Sequence, residues 1–195
     1  VHVRREGEYA LLGRTRDDAA GEAFDKVAKM AALPYPGGPV IDRLAARGDR
    51  ARHAFPRARL EPDTLDFSFS GVKTAVRYAL RDDPSLGGEE NLPDLLASFQ
   101  EAVVEPLVEN ARRALELVGE SRVAVCGGVA ANSRLRSAFA EMAEETGAAL
   151  LLAPLEYCTD NAAMVALAGE AAFLKGRTAP PGQGASADLP LPFKD

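Results

Sequence analysis

The feature that most constrains the fold is a strand-like apolar run that leads through a short turn into a helix, and it occurs twice in the second half. The first run is "RVAVCGG" (122–128), followed by the amphipathic segment 132–147. The second is "LLLAP" (150–154), followed by "YCTDN" and an alanine-rich segment. Strands that alternate with helices are typical of a parallel sheet with helices packed on it. We therefore predict an α/β fold with buried strands and with sites at their carboxyl ends.

Apolar spacing predicts the remaining framework. A strand over 65–71 is expected to present Ser68 and Ser70 on one face, and "PYPGGP" (34–39) is expected to form a rigid turn. Pro106 lies inside the longest predicted helix and is expected to kink or split it. The other predicted elements are a hairpin turning at Glu6-Gly7, helices over 17–33 and 92–118, and short helices after residues 39 and 71.

Composition places the chain among ordinary globular proteins. It has 195 residues, 47% of them apolar and 27% charged, and no apolar run long enough to span a bilayer. Cys126 and Cys158 show no CxxC spacing, which argues against a thiol-bound zinc site and for a reducing, cytoplasmic location. The chain starts with Val1 inside the predicted hairpin, which is not a stable start to a domain, so we expect it to begin within one.

The charge distribution leaves one question open. A formal net charge of −6 argues against a general electrostatic attraction to nucleic acid. One local exception is a basic run, which is either a phosphate-binding patch or simply a solvated loop. It contains Arg47, Arg50, Arg52, His53, Arg57 and Arg59.

The glycine turn after the first strand is a candidate ligand site. Gly127 and Gly128 precede a helix and expose backbone N–H groups to an anion or a flat base, while Asn132 can bind a nucleobase edge or a ribose. The spacing matches neither a Walker loop nor GxGxxG. The alternative is that the glycines serve strand–helix packing and Asn132 is a helix N-cap.

Two carboxylates flank the proline–glycine turn. Asp25 lies late in the first helix, and Asp42 follows the turn, so that both can reach one edge and bind a pair of ribose hydroxyls. The alternative is that Asp25 pairs with Lys29 one helical turn later and that Asp42 is simply exposed.

Asp160 stands where a strand gives way to what we predict to be a buried helix. Either Thr159 or Asp160 caps that helix, or Asp160 points a carboxylate into a cleft that holds a metal or a nucleotide. Neither His2 nor His53 stands at ligand spacing to another histidine or cysteine, so partners for such a metal are not evident in the sequence.

Five segments in this order resemble the tRNA N6-adenosine threonylcarbamoyltransferase family, formerly named O-sialoglycoprotein endopeptidases. They are "DDAAGEAFDKVAKMAALPYPGGPVID", "FSFSGVKTAV", "SFQEAVVEPLVE", "GGVAANSRLR" and "YCTDNAAMVALAG". The resemblance covers residues 9 to about 176 and implies the fold of actin, the Hsp70 ATPase and sugar kinases. It assigns residues 1–33 to the end of the first lobe and 34–176 to the second, and we expect 177–195 to be a flexible tail.

The resemblance also implies a reaction and its site. The family transfers a threonylcarbamoyl group from threonylcarbamoyl-AMP to N6 of the adenosine next to the tRNA anticodon. Its motifs place the intermediate at Asp25, Gly38, Asp42 and Asn132, beside the glycine turn, and one Fe²⁺ or Zn²⁺ ion at Asp160. The remaining metal ligands belong to a HxxxH motif that would lie upstream of Val1. No nucleophilic serine or cysteine is required, because the mixed anhydride already carries a good leaving group.

Partners and alternatives follow from the same resemblance. It implies tRNA, threonylcarbamoyl-AMP or ATP, a paralogous actin-like subunit and a P-loop ATPase as partners, and no membrane. Because the first metal ligands are missing, we expect a truncated chain that alone neither binds the metal tightly nor transfers the group. The alternatives are a non-catalytic actin-like scaffold of the same complex and an ATP-binding protein related to kinases.

Overall fold

The computed structural model describes residues 1–58 and 63–184, and the fold over these ranges is α/β with two small sheets. Arg59 of the basic run and residues 185–195 of the predicted tail lie outside the described residues. The strands are β1 (His2–Arg5), β2 (Glu8–Ala10), β3 (Arg122–Val125) and β4 (Ala149–Leu152). The helices are α1 (Ala20–Met30), α2 (Gly37–Ala45), α3 (Ser70–Asp82), α4 (Leu92–Val118), α5 (Ser133–Thr146) and α6 (Ala162–Leu174).

The strand–helix repeat of the second half forms as predicted. Strands β3 and β4 pair in parallel, with Val123 opposite Leu150, and α5 connects them. The opening hairpin also forms, with β1 antiparallel to β2 and Gly7 at φ +82° in the turn. The expectation that β3 and β4 are buried is wrong for this chain: their residues alternate between exposed and half-buried, because only α5 and α4 pack on one face of the two-stranded sheet.

Helix α4 lies at the centre of the core. Its N-terminal half packs in a cluster with α1, α2 and α3, where the rings of Phe24 and Phe99 meet edge to face with centroids 5.2 Å apart. Its C-terminal half packs against α5 and the β3–β4 pair through Val104 and Leu107. The helix continues from Leu92 to Val118 with Pro106 inside it, so the predicted split does not occur.

The predicted strand over 65–71 is wrong. Only a single parallel bridge forms there, between Thr15 and Phe67. The chain then turns into α3, because the carboxylate of Asp17 accepts a hydrogen bond from the Ser68 hydroxyl and another, at 2.9 Å, from the Phe69 N–H. Asp17 thereby caps α3 and is not part of α1, which begins only at Ala20.

The predicted turn "PYPGGP" ends earlier than expected, since α2 already begins at Gly37. Gly37 touches α1 so closely that an added Cβ would lie 2.5 Å from the Cβ of Ala28. Only glycine permits this approach, and the second glycine of the pair, Gly38, has open space around its α-carbon.

The prediction that α6 is a buried helix is also wrong. None of its residues is buried, and apolar side chains lie all round it. Leu167 is 68% exposed and Phe173 is 69% exposed. A helix that is apolar on every side and open to solvent is typical of a surface that another part of a protein covers. Within the ranges described, no helix has both the length and the apolar character needed to cross a bilayer.

The contrast between α4 and α6 gives a stability test. Phe99 is fully buried between helices, so Phe99→Ala is expected to lower the free energy of unfolding by about 3–5 kcal/mol through lost burial and an unfilled cavity. Leu167→Gln on exposed α6 is the control and should change it by less than about 0.5 kcal/mol. Urea unfolding of the 195-residue chain measures both. A Leu167→Gln loss as large as that of Phe99→Ala would contradict the exposed position of α6.

Candidate functional site

Asp25 and Asp42, predicted as site residues, each hold the start of a helix. Asp25 on α1 accepts a hydrogen bond from the backbone N–H of Gly37, the first residue of α2, at 2.7 Å. Asp42 on α2 accepts from the backbone N–H of Ser133, the first residue of α5, at 3.0 Å, and from its hydroxyl at 2.8 Å. Negative charge at a helix N-terminus is favourable, so these contacts fix α1, α2 and α5 relative to one another.

Asn132 is the N-cap of α5, as the capping alternative predicted. Its Oδ1 accepts from the backbone N–H of Leu135 at 2.9 Å. Its Nδ2 donates to Oε1 of Gln100 at 2.8 Å, and Gln100 on α4 is buried. The amide is therefore fixed in orientation by two helices. An amide nitrogen carries two N–H donors, and Gln100 accounts for one of them.

The glycines next to these side chains leave backbone accessible. Gly127 has φ +92°, a conformation that favours glycine, and it directs the chain from β3 into a single turn over Gly128–Ala131 before α5. Gly38, Gly127 and Gly128 all have open space where a Cβ would stand. A ligand can thus approach the main chain closely at these three positions.

These residues form one polar cluster, which we call the α2–α5 cluster: Asp25, Gly38, Asp42, Gly127, Gly128, Asn132 and Ser133. Hydrogen bonds connect the helices that carry these residues: Asp25 on α1 bonds to Gly37 of α2, and Asp42 on α2 bonds to Ser133 of α5. Each carboxylate oxygen can accept more than one hydrogen bond, so the two acids can also receive ribose hydroxyls. An anion at the start of α5 is less suitable, because Asp42 and Asn132 already accept from the Ser133 and Leu135 N–H groups.

Two expectations about single residues are corrected by this geometry. Asp42 is not simply exposed, since it bonds to Ser133. Asp25 bonds to Gly37, and no ion pair with Lys29 occurs among the contacts of the described residues. The pairing of a helix acid with the lysine one turn later is weak in water, and a backbone N–H at a helix start competes with it successfully.

Asp160 is exposed two residues before α6, and within 1–58 and 63–184 it forms no hydrogen bond or ion pair with the α2–α5 cluster. The cap of α6 is neither Thr159 nor Asp160. It is Asn161, whose Oδ1 accepts from the Met164 N–H at 2.9 Å. The carboxylate of Asp160 is thus not engaged in capping.

The described residues do not by themselves fit a metal ion. Within the described part of the chain, no group of three histidine, cysteine or acidic side chains stands close enough to bind one. His2 pairs with Glu120 and His53 stacks on Phe55, so neither histidine accompanies Asp160. One carboxylate does not hold a divalent cation, so an ion at Asp160 would need further ligands that these residues do not supply.

A charged pair fixes the start of α5 to α4. Arg134 donates to both carboxylate oxygens of Glu101, at 2.8 and 3.0 Å, and both side chains are 16% exposed. Burial raises the pKa of the Glu101 carboxyl, but the hydrogen bond and charge of Arg134, together with the charges of Arg50 and Arg57, lower it by more, so that the pKa lies below its usual value. This pair therefore stabilises the position of Asn132 and Ser133 when Glu101 is ionised.

Sequence reasoning missed Gln100 and Ser133. Gln100 lies four residues after Leu96 on the apolar stripe of α4, and a polar residue at such a position signals a buried hydrogen bond. Ser133 carries no comparable signal, because its role depends on Asp42, which is distant in sequence.

Comparison with known proteins agrees with the resemblance seen in the sequence. The tRNA N6-adenosine threonylcarbamoyltransferase family matches residues 1–167. Proteins of that name are similar to this chain in Anaeromyxobacter dehalogenans strain 2CP-1 (53% identity over 176 residues), Salinibacter ruber (51% over 185) and Bacillus cereus (48% over 180). These matches cover 90%, 93% and 92% of this chain, but 52%, 55% and 52% of the relatives.

Fold and cluster together define an α/β protein whose helix starts and glycine turn meet at one polar site. The chain belongs to the tRNA N6-adenosine threonylcarbamoyltransferase family. It spans about half the length of the curated relatives it matches.

The lowered pKa of Glu101 predicts how stability depends on pH. A carboxyl whose pKa is depressed by folding stabilises the protein above its unfolded pKa, about 4.3, and this contribution is lost as the pH falls through the folded value. Glu101→Gln should lower the free energy of unfolding by about 1–2 kcal/mol at about pH 7. The difference from the unsubstituted chain should shrink below about pH 4.

Urea unfolding at a series of pH values measures this difference. Glu144→Gln, at an exposed position on α5, the helix that carries Arg134, is the control and should change the free energy of unfolding by less than about 0.5 kcal/mol. A difference for Glu101→Gln that grows as the pH falls would contradict the role of the Glu101–Arg134 pair.

Proposed function

We propose that this chain carries the donor-binding part of an enzyme that transfers a threonylcarbamoyl group to N6 of the adenosine next to the anticodon of tRNA. The observation that carries the proposal is the α2–α5 cluster, since it contains Asp25, Gly38, Asp42 and Asn132. The resemblance assigns these four residues to the intermediate, and in the fold Asp25 bonds to Gly37, which precedes Gly38, while Asp42 bonds to Ser133, which follows Asn132. Family membership supports the reaction class.

The chemistry of the cluster suits a nucleotide donor. Asp25 and Asp42 accept hydrogen bonds from the ribose hydroxyls of threonylcarbamoyl-AMP, and the second N–H of Asn132 binds the ribose or the adenine edge. The open backbone at Gly38, Gly127 and Gly128 lets the nucleotide approach closely. Because the cluster is acidic, it favours the ribose and base over the phosphate, which we place away from the start of α5.

The transfer itself requires little covalent participation by the protein. The exocyclic amine of the acceptor adenosine attacks the carbamoyl carbon, a new C–N bond forms, and the bond from that carbon to the phosphate oxygen breaks. AMP leaves and the amine loses one proton to solvent. The contribution of this chain is to hold the donor so that its carbonyl faces the acceptor, which lowers the entropic part of the barrier.

The metal remains a separate proposal. We propose Asp160 as one ligand of an Fe²⁺ or Zn²⁺ ion whose other ligands are histidines outside the 195 residues. Its exposed carboxylate, which caps no helix, is compatible with that role. When bound, such an ion would polarise a carbonyl as a Lewis acid.

The lobe assignment and the partners are also proposals. We place 34–176 in the second actin-like lobe, and the exposed apolar surface of α6 supports contact with further protein, in line with relatives of about twice this length. Helix α1, which this assignment leaves in the first lobe, packs in one core with α2 and α4. We further propose tRNA, a paralogous actin-like subunit and a P-loop ATPase as partners.

The role of Asn132 tests donor binding. Asn132→Ala removes both the cap of α5 and the amide donor, whereas Asn132→Asp keeps a capping oxygen and removes only the donor. We expect Asn132→Asp to lower the free energy of unfolding by about 1–2 kcal/mol, through the lost hydrogen bond to Gln100, and to weaken threonylcarbamoyl-AMP binding at least about tenfold. Asn132→Ala should lose both stability and binding.

Calorimetric titration of threonylcarbamoyl-AMP into the folded chain measures the binding. Unchanged affinity in Asn132→Asp would refute the assigned role of the amide. If the unsubstituted chain shows no saturable binding while Asp25, Asp42 and Asn132 are intact, the proposal fails and the scaffold alternative is favoured.

A further inference from the structure

The segment between α2 and residue 58 carries four arginines and one acid in a chain whose net charge is −6. We call residues 47–58 the basic loop. Its arginines are Arg47, Arg50, Arg52 and Arg57. The sequence alone left open whether this run is a phosphate-binding patch or a solvated loop, and three structural observations decide between them.

The first observation is that the basic loop is held in one conformation by α4. The Asp49 N–H donates to Oδ1 of Asp94 at 2.8 Å. The hydroxyl of buried Ser98 accepts from the His53 N–H at 3.0 Å and donates to the Asp49 carbonyl at 3.2 Å. Gly48 lies so close to α4 that a Cβ would stand 2.1 Å from the Pro93 carbonyl oxygen. A merely solvated loop needs no such attachment.

The second observation concerns the charges that remain available. Arg57 is paired with Glu105, its Nε lying 2.7 Å from Oε2. Arg47 and Arg52 are exposed, and neither forms an ion pair with an acid among the residues described. Arg50 is 57% exposed and lies 3.9 Å from Glu101, which is already engaged by Arg134. The guanidinium groups of Arg47, Arg50 and Arg52 therefore face solvent, and acidic side chains neutralise them little or not at all.

The third observation is where the basic loop lies. A groove of about 220 Å³ has Gly48 and Arg50 on one side and Gln100, Ser133 and Arg134 on the other. Ser133 is the residue that Asp42 binds, and Gln100 is the residue that holds Asn132. The basic loop, through Gly48 and Arg50, and the α2–α5 cluster, through Ser133, thus meet at the same groove.

We propose that the basic loop binds phosphate groups of the tRNA strand that carries the acceptor adenosine, through Arg47, Arg50 and Arg52. This inference rests on the proposed function. An adenosine that reaches a donor held at the α2–α5 cluster brings its flanking phosphates to the rim of that groove. Arginine forms bidentate hydrogen bonds with phosphate, and a rigid loop loses little conformational freedom on binding. In an acidic chain, such a patch also directs RNA to the correct face.

The test uses a charge-matched pair of variants of the 195-residue chain. R47Q/R52Q removes two charges from the basic loop, and R77Q/R81Q removes two from exposed positions on α3. Binding of a fluorescently labelled anticodon stem–loop RNA is measured by anisotropy from about 50 to about 200 mM salt. We expect R47Q/R52Q to weaken binding about tenfold and to lower the slope of log K against log salt by about 1.4, or about 0.7 for each lost phosphate contact.

The control R77Q/R81Q should stay within about twofold of the original affinity, with an unchanged slope. Equal weakening by both variants would overturn the proposal, because it would reflect net charge alone. So would an unchanged slope in R47Q/R52Q, or no RNA binding by the original chain at about 50 mM salt. Threonylcarbamoyl-AMP binding is titrated in the same preparation of the original chain. Donor binding without a basic-loop effect refutes only this inference, whereas absent donor binding refutes the proposed function.

Discussion

The burial of α4 is the constraint on which the rest of the described structure depends. Val103 belongs to the cluster formed with α1, α2 and α3, and its neighbour Val104 belongs to the cluster formed with α5 and the parallel strands. One helix therefore orients both halves of the chain. It also carries the polar groups that hold other elements in place: Gln100 positions Asn132, Glu101 binds Arg134, and Ser98 anchors the basic loop.

The candidate site is built from contacts between helix starts and side chains of other helices. Asp25 satisfies an N–H at the start of α2, and Asp42 satisfies one at the start of α5. These groups have no partner inside their own helix, so a carboxylate from a neighbour stabilises them and fixes the angle between elements. Ser133, which Asp42 binds, and Gln100, which binds Asn132, also line the groove beside the basic loop, so the contacts that fix the helices lie next to the surface proposed for binding.

Several elements followed from local pattern, and others did not. The ends of α4 and the parallel pairing of β3 with β4 were predicted, because apolar periodicity of 3.6 and strand–glycine–helix order are local signals. The prediction of a strand at 65–71 was wrong because Asp17, about 50 residues earlier in the chain, caps α3 at that point. The prediction that α6 is buried was wrong for a different reason. Apolar composition indicates that a helix packs against other residues, but it does not indicate which residues these are.

The sequence by itself determined the α/β class and the order of most elements, since both depend on residue type and short-range spacing, whereas the resemblance to a family assigned the candidate residues to a ligand. The sequence left two interpretations open for Asn132, Asp42 and the basic run. Only the tertiary structure decided that Asn132 is both a cap and a partner of Gln100, that Asp42 meets Ser133, and that the basic loop shares a groove with Gln100 and Ser133. The physical reason is that a hydrogen bond between residues 91 positions apart depends on how helices pack, and no local pattern encodes that distance.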